Sequence, residues 1–456
     1  MKRIVLFYPS LTKGQDSPTL YTDLPLSVVA LAAQFDPARY EVEILDERLR
    51  PYSSSEIGRR GKGALFIGIS AITSNQIVNG LRFAQAVREA DAGVPIVWGG
   101  WHPSLMPEQT IAHPLVDMVV TGQGERILPL LAERLEQGQP PKDVPNLLWK
   151  QRGRVVRNAR REYSDFQMPR NLIEGYDRLD LTPYVHPQWG HQRVIGYESS
   201  RGCPFACSFC SISTVFQRRW YGLEADRVAA DVAWLKERYA IDAVHFFDNN
   251  FFLDRARAQS IARQFLEREL RIAWDGTVVA QQFVHFTDDE LDLLRQSGLY
   301  RVILGGESGD EEVLRRIRKH HTNEQMLQSV RRCKEWGLLP SLSFMVGFPW
   351  NPREDLRQTI ELIERIKRLC PQTEILLFLF SPYLGTPLYD VAREYGMVFP
   401  ASLEGWADFT YDKANTPWVT PPLYRKISRY LSFFGTKTLS GEEKAFYQSF
   451  EGGSNP

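Results

Sequence analysis

The chain has 456 residues, 43% of them hydrophobic and 24% charged, which is enough for two or three packed domains and too apolar for a disordered protein. Lys plus Arg number 55 and Asp plus Glu number 55, so no bulk field favours nucleic acid as a partner. No apolar run approaches the ~20 residues of a membrane-crossing helix. The five cysteines, three of them within eight residues, point to a metal site in a reducing cytoplasm and away from a secreted disulfide framework.

The N-terminal Ile4-Val5-Leu6-Phe7 reads as a first strand, not a signal peptide. Further strands are predicted at 41–45, 65–70, 95–98 and 118–121, with helices at 25–34, 76–90 and up to about 136. Near-continuous apolar strands between amphipathic helices imply a parallel sheet covered on both faces. Ligands of such sheets sit at the carboxyl ends of the strands. Those ends carry Ser70-Ala71-Ile72, Gly99-Gly100-Trp101-His102 and Gly122-Gln123-Gly124-Glu125. The first strand is not followed by G-x-G-x-x-G, which argues against NAD or FAD.

A hairpin and a proline-punctuated connector are expected over 139–190. The hairpin's Arg152, Arg154, Arg157, Arg160 and Arg161 read as a solvated face rather than a binding patch. A second βα series follows over 191–400, with strands at 194–199, 243–247, 272–279, 301–304, 342–346 and 375–380. Thr287 and Thr322 begin capping boxes. Six such units suit an incomplete (β/α) barrel with its chemistry at the carboxyl ends of the strands. Residues 401–456 are rich in aromatics, among them Trp406, Phe409, Tyr411, Trp418, Tyr424, Tyr430, Phe433 and Phe434. Hydrophobic core is the favoured reading for them, with a cap over a bulky or apolar substrate as the alternative.

Directly after the first barrel strand stands Arg201-Gly202-Cys203-Pro204-Phe205-Ala206-Cys207-Ser208-Phe209-Cys210. Three thiolates in one loop can ligate three irons of a cubane and leave the fourth iron open to a chelating ligand. Zinc would ask for a fourth Cys or His. Cys333 and Cys370 stand alone in helical segments and read as core or surface thiols. This loop resembles the signature of the radical S-adenosylmethionine (SAM) superfamily, a resemblance that covers residues 191–400. It implies a 4Fe–4S cluster on Cys203, Cys207 and Cys210, whose open iron binds SAM. One electron then cleaves SAM to methionine and a 5′-deoxyadenosyl radical. Phe209 matches the family's aromatic beside the adenine. Asp248, Asn249 and Asn250 stand where the family often has Gly-Gly-Glu, which is absent here. Gly306, Glu307 and Ser308 resemble its ribose- and methionine-binding element, and Val346 and Gly347 its adenine-binding element.

The N-terminal half resembles the cobalamin-binding domain of one radical SAM branch. Ser70, Ala71 and Ile72, with Gly99, Gly100, Trp101 and His102, are similar to the elements lining the nucleotide-tail groove, where the backbone must approach the tail closely. Gly122, Gln123, Gly124 and Glu125 resemble the branch's Gly-x-Gly-Glu turn. An Asp-x-His-x-x-Gly loop is missing: the corresponding Asp46-Glu47-Arg48-Leu49 has no histidine, so the lower cobalt face is expected to lack one. His102 reads as a loop or tail-pocket residue rather than a cobalt ligand.

The expected fold is therefore α/β. A Rossmann-like cobalamin-binding domain (1–138) is followed by the linker, a partial (β/α)6 radical SAM barrel (191–400) and a small, mainly helical C-terminal segment. The resemblance implies methyl transfer to an unactivated carbon, with cobalamin-dependent cyclisation, hydroxylation or ring rearrangement as the alternative. A non-catalytic cobalamin or SAM sensor is a more distant one. Methylthiotransferases carry additional N-terminal cysteines, and none precedes Cys203 here. The expected partners are a small-molecule substrate and an electron donor such as flavodoxin or ferredoxin, with no nucleic acid.

Overall fold

The computed structural model describes residues 1–12, 23–161, 172–409 and 416–435. Its first sheet contains β1 (Lys2–Tyr8), β2 (Tyr40–Asp46), β3 (Phe66–Ser70), β4 (Ile96–Gly99), β5 (Met118–Val120), β6 (Leu147–Gln151) and β7 (Arg154–Arg157), in the order β2-β1-β3-β4-β5-β6-β7. The first five are parallel. Ile4 and Leu6 pack on one face with Val29, Phe66, Ile127 and Leu131. Val5 and Phe7 pack on the other with Ile57, Phe83 and Trp98, and Phe7 stacks on Phe83 at 3.8 Å. Burial on both faces explains why these strands lack a polar alternation. The chain leaves β1 towards β2 on one side and returns to β3 on the other, which opens a crevice at the strand ends between them.

The hairpin read as part of a linker extends this sheet. β6 pairs antiparallel with β5, placing Leu148 beside Val119, and β7 forms the outer edge. Leu147, Leu148 and Trp149 are buried, and that burial draws the hairpin in.

The second sheet contains β8 (His186–Gln188) and β9 (His191–Tyr197), and then β12 (Ala243–Phe246), β13 (Ala273–Val278), β14 (Leu299–Glu307), β15 (Leu339–Val346) and β16 (Glu374–Leu379). Between β9 and β12 lies a small ribbon of β10 (Ser200–Gly202) and β11 (Trp220–Gly222). Six parallel strands, β9 to β16, make the partial (β/α)6 barrel, with β8 antiparallel at its edge. Both predicted capping boxes form: Thr287 accepts from the Glu290 N–H and Thr322 from the Gln325 N–H, each at 3.2 Å. Near the amino end of the barrel the Arg301 guanidinium donates to Asp275 and Glu374 at 2.8 Å and to Ser341 at 3.1 Å. His245 pairs with the same Asp275, and Trp189 lies 4.0 Å from the guanidinium. This layer closes that end and leaves the carboxyl ends for chemistry.

The aromatic C-terminal stretch is core where it is described. Trp406 and Phe409 pack with the Phe7 face of the first sheet, and the Trp406 indole donates to Gln109 at 2.7 Å. The helix Pro421–Gly435 packs on β16 with Leu423, Ile427 and Phe434 buried. Pro169, Tyr411 and residues 436–456 lie outside the described residues. No helix among the described residues is long and apolar enough to cross a membrane.

Candidate active site

The β10–β11 ribbon forms the neck of the cysteine loop. Gly202 has φ +82°, and a Cβ there would strike the carbonyl of Arg219, so only glycine closes the neck. Further along, the Ser208 N–H donates to Ile317 O at 2.8 Å, and Ser208 O accepts from the Leu388 N–H at 3.1 Å. The loop is thus tied to the turn after the helix Glu311–Arg316 and to the helix Pro387–Glu394. Cys203, Cys207 and Cys210 are half-buried and within electrostatic reach of one another. Burial holds all three thiols above the ordinary cysteine value, Cys210 at about 11, while Lys319 pulls Cys203 and Cys207 the other way. Among the described residues no three His, Cys, Asp or Glu side chains converge tightly enough for a single metal ion. A cubane does not require that convergence, because each thiolate takes its own iron. Cys333 and Cys370 are fully buried in the barrel core.

Lys319, which the sequence reading missed, is largely buried beside these thiols, and its Nζ lies 2.7 Å from Glu307 Oε1. Glu307 ends β14 with φ +63°, a left-handed conformation uncommon for a residue with a side chain. Its carboxylate folds back over Gly305, where a Cβ would collide with both members of the ion pair. The two charges are therefore held together at a strand end facing the cysteine loop.

The other SAM candidates separate. The Asp248 carboxylate accepts from Ser199 N and Oγ, at 2.7 and 2.6 Å, and from Ser200 Oγ. It fastens the exit of β9, which corrects its expected role as a SAM acceptor. Asn249 Oδ1 accepts from the Gly202 N–H at 2.9 Å and so holds the neck of the loop. Asn250 is the one of the three left facing the cysteine loop: it is buried, its amide nitrogen is directed at the Cys203 thiol, and its amide oxygen has no partner. A buried amide oxygen with no donor is costly, so its place suits a ligand that donates a hydrogen bond to it. Ser308 is fully buried and donates to Asp355 at 2.6 Å; it positions its strand end and does not present its hydroxyl. Asp355 also accepts from the Gly347 N–H at 2.9 Å, which ties the exits of β14 and β15 together. Gly306 packs on the Phe344 ring. Phe209 joins an apolar cluster with Ile317, Phe348 and Phe380 just beyond Val346 and Gly347, a seat for a flat ring. His321 is a further buried group beside Gly306; burial lowers its pKa to about 3, and neither ring nitrogen has a side-chain partner.

At the carboxyl ends of β1, β3, β4 and β5 a cleft enclosing ≈ 1080 Å³, its open mouth included, runs into the barrel. Ser70, Gly99, Gly100, Trp101, Gly122, Gln123, Gly124 and Glu125 line it from the first sheet; Glu198, Arg201, Phe216 and Asn249 line it from the barrel. Leu6, Leu31, Val97 and Leu128 make its inner wall apolar, and Gln123 Nε2 is a buried donor with no partner. An apolar slot with small residues at its rim and a spare amide donor fits a cofactor with a long tail and many amide groups. Three expected cobalamin residues lie elsewhere. Ala71 is buried beneath Gly100, and Ile72 is 39% exposed, outside the cleft. His102 is fully buried against Trp406, with Nδ1 3.0 Å from Thr73 Oγ1 and a pKa lowered by burial to about 4. It turns away because it begins the short helix Trp101–Leu105, which packs inward. In the Asp46-Glu47-Arg48 segment, Arg48 pairs with Asp46 at 2.6 Å and lies 4.4 Å from the Tyr8 ring centroid; no imidazole is offered there.

The cleft and the cysteine loop share an ion-pair network. Arg201, two residues before Cys203, is buried between Glu198, at 2.7 Å, and Glu125 of the Gly-x-Gly-Glu turn. Burial raises the Glu198 carboxyl, against the pull of Arg201.

A site that couples a three-cysteine loop to a tail-accepting cleft defines a radical enzyme with two cofactor-binding halves. Comparison with known proteins agrees. The profile of the Radical SAM superfamily matches residues 197–363 and that of the B12 binding domain matches residues 20–132. An uncharacterized methyltransferase of Pyrococcus horikoshii is 29% identical over 86% of this chain and 83% of its own. The anaerobic magnesium-protoporphyrin IX monomethyl ester cyclase of Synechocystis is 24% identical over 81% of this chain and 73% of its own. Two solved structures share the fold. The radical SAM methyltransferase TsrM of Kitasatospora setae, with cobalamin and a [4Fe-4S] cluster bound, has a TM-score of 0.69 at 19% identity, over 88% of this chain and 80% of that one. The cobalamin-dependent radical enzyme OxsB, with aqua-cobalamin and SAM bound, has a TM-score of 0.74 at 16% identity, over 99% of this chain and 71% of that one. The chain carries a B12-binding domain followed by a radical SAM domain.

Proposed function

We propose that this enzyme uses SAM, a 4Fe–4S cluster and cobalamin to transfer a methyl group to an unactivated carbon of a small molecule. The observation that carries this reading is the cleft lined from both halves, in which Glu198, Arg201 and Asn249 of the barrel face Gly99 and Glu125 of the first sheet. Cys203, Cys207 and Cys210 would hold the cluster. Glu307, Lys319 and Asn250 would hold the polar end of SAM, and Phe209 with Val346 and Gly347 its ring. Ser70, Gly99, Gly100, Trp101 and the turn Gly122–Glu125 would hold cobalamin. Bound there, these groups supply one-electron cleavage of SAM and a methyl carrier. The chain's own residues orient them: Asp248 and Asn249 set the neck of the cysteine loop, Asp355 sets the exits of β14 and β15, and Arg201 fixes the loop against the cleft. We take residues 1–138 as the cobalamin unit and 191–400 as the barrel, and place the enzyme in the reducing cytoplasm, served by a protein electron donor.

The test is anaerobic reconstitution with iron, sulfide and cobalamin, followed by product analysis. Methyl transfer is expected to yield S-adenosylhomocysteine and 5′-deoxyadenosine together. The similarity to the Synechocystis cyclase keeps one second reading. Deoxyadenosine without homocysteine product would favour that oxidative chemistry, and absence of both would overturn catalysis through SAM.

A further inference from the structure

The radical chemistry consumes electrons that the chain must receive from outside. We propose that the outer face of the cysteine loop is the docking surface for a small acidic one-electron carrier protein, with Arg218 and Arg318 as its principal contacts. This inference rests on the radical SAM reading above.

The part of the loop between the first two cysteines, Pro204 to Ala206, is half-exposed, as are the cysteines themselves, so the cluster seat lies near the surface here. Two turns frame it. Arg218 follows the short helix Ile212–Val215, is exposed, and donates from Nε to Pro204 O at 3.2 Å. Arg318 lies in the turn that receives the Ser208 N–H, one residue before the largely buried Lys319, and is also exposed. His320 in the same turn touches the Phe205 ring at 5.9 Å. Neither Arg218 nor Arg318 is held in an ion pair among the described residues.

The charge here departs from the neutral whole. Arg315 and Arg316 stand on the helix that leads into the Arg318 turn, together with the carboxylates Glu311 and Glu312. Glu312 is spent on Arg315 and Arg316, at 2.8 and 2.7 Å, and Glu311 accepts from the Asn323 N–H at 2.7 Å. Arg316 also lies 5.1 Å from the Trp350 ring centroid, which leaves a half-buried aromatic beside the cations. A cationic collar around a half-exposed apolar centre suits an acidic partner that must arrive often, orient and leave. Opposite charges raise the association rate and make it sensitive to salt. In the transfer itself one electron leaves the reduced carrier and the cluster passes from its 2+ to its 1+ state, with no bond made or broken.

The experiment uses flavodoxin as the probe and has two readouts. Binding of oxidised flavodoxin to the cluster-loaded protein is measured by fluorescence anisotropy at low and high salt. SAM cleavage is measured with flavodoxin hydroquinone and, separately, with titanium(III) citrate. The double variant Arg218→Glu/Arg318→Glu is expected to weaken binding at least tenfold at low salt and to flatten its salt dependence. Flavodoxin-driven cleavage should fall in parallel, while titanium-driven cleavage stays within twofold of wild type. The milder Arg218→Gln/Arg318→Gln should fall between them. Arg268→Glu/Arg271→Glu, exposed at the amino end of the barrel, should leave binding unchanged. Undiminished flavodoxin binding by the first variant, or equal loss with both reductants, would overturn the proposal. Failure of the wild type to cleave SAM with either reductant would instead overturn the radical reading on which it rests.

Discussion

Three thiols, an ammonium and a carboxylate meet where the cysteine loop faces the end of β14. Loss of any one thiol removes an iron ligand. Cys203→Ala, Cys207→Ala and Cys210→Ala should therefore each lose the visible charge-transfer band and all SAM cleavage, whereas Cys333→Ala keeps the band. Glu307→Ala removes a charged acceptor worth about 1.5–3 kcal/mol. SAM binding should weaken roughly 10- to 100-fold by calorimetry, with iron content unchanged. An unaltered dissociation constant would reduce Glu307 to a partner for Lys319. The cysteines were legible because their spacing is local. Lys319 was not, because only the turn after the helix Glu311–Arg316 brings it back to the loop. The Asp248-Asn249-Asn250 run was placed correctly, but strand-exit dihedrals decide which side chain enters the site, and sequence does not disclose them. His102 shows the same limit: a strand-end histidine looked like a pocket residue, and a one-turn helix carried it into the core.

The buried His102 also sets a pH dependence. Its pKa is about 4 in the fold and about 6.5 when exposed, so the unfolded chain binds more protons between those values. The stability it confers is complete above pH 6.5. That stability is lost as pH falls through the window, by up to ~1.4 kcal/mol per unit. The midpoint of thermal unfolding should fall less between pH 7 and pH 5 in His102→Gln than in wild type; parallel curves would contradict this.

Among the elements, the exit of β4 separates two neighbouring glycines by consequence. Gly99 lines the cleft, and a Cβ there meets only Val120 O at 3.8 Å. Gly100 has φ +96°, and a Cβ there would press on the backbone of Ala71 at 2.8 and 2.9 Å. Gly99→Leu should thus block cobalamin uptake in a folded protein that still assembles its cluster. Gly100→Val should damage the fold itself. Cobalamin absorbance of the purified variants, with circular dichroism as control, distinguishes the two outcomes. The parallel strands of both sheets were readable because they follow strong local periodicities, and the helices at Thr287 and Thr322 because their caps have a defined spacing; the short helix Ser54–Gly61 and the β10–β11 ribbon, with weak local patterns, were not. The attachment of the β6–β7 hairpin was not, since its pairing with β5 is non-local and is decided by burial of Leu147, Leu148 and Trp149.

At the scale of the whole molecule, the ion pair between Glu125 and Arg201 joins the two cofactor-binding halves. Glu125→Ala leaves Arg201 with Glu198 alone and frees the turn of the cleft. Cobalamin should then bind about tenfold more weakly. The magnetic interaction between the reduced cluster and cob(II)alamin should broaden in paramagnetic resonance, as the distance between them loses definition. A spectrum identical to wild type would show that packing alone fixes that distance.

The face of the first sheet that buries Phe7 and Trp98 is completed by Leu384, Leu403, Trp406 and Phe409. Those residues leave the ribosome long after the sheet they cover. During synthesis the outer part of this cluster, beside the helix Gln76–Ala90, stays uncovered until the barrel has emerged and the chain has doubled back. The first half is therefore completed by the second, and the cleft has its full lining only when both are folded. Residues 1–161 produced alone should expose this apolar face, bind a hydrophobic dye and aggregate. Adding back the later residues in the same chain should restore solubility before any cofactor is supplied.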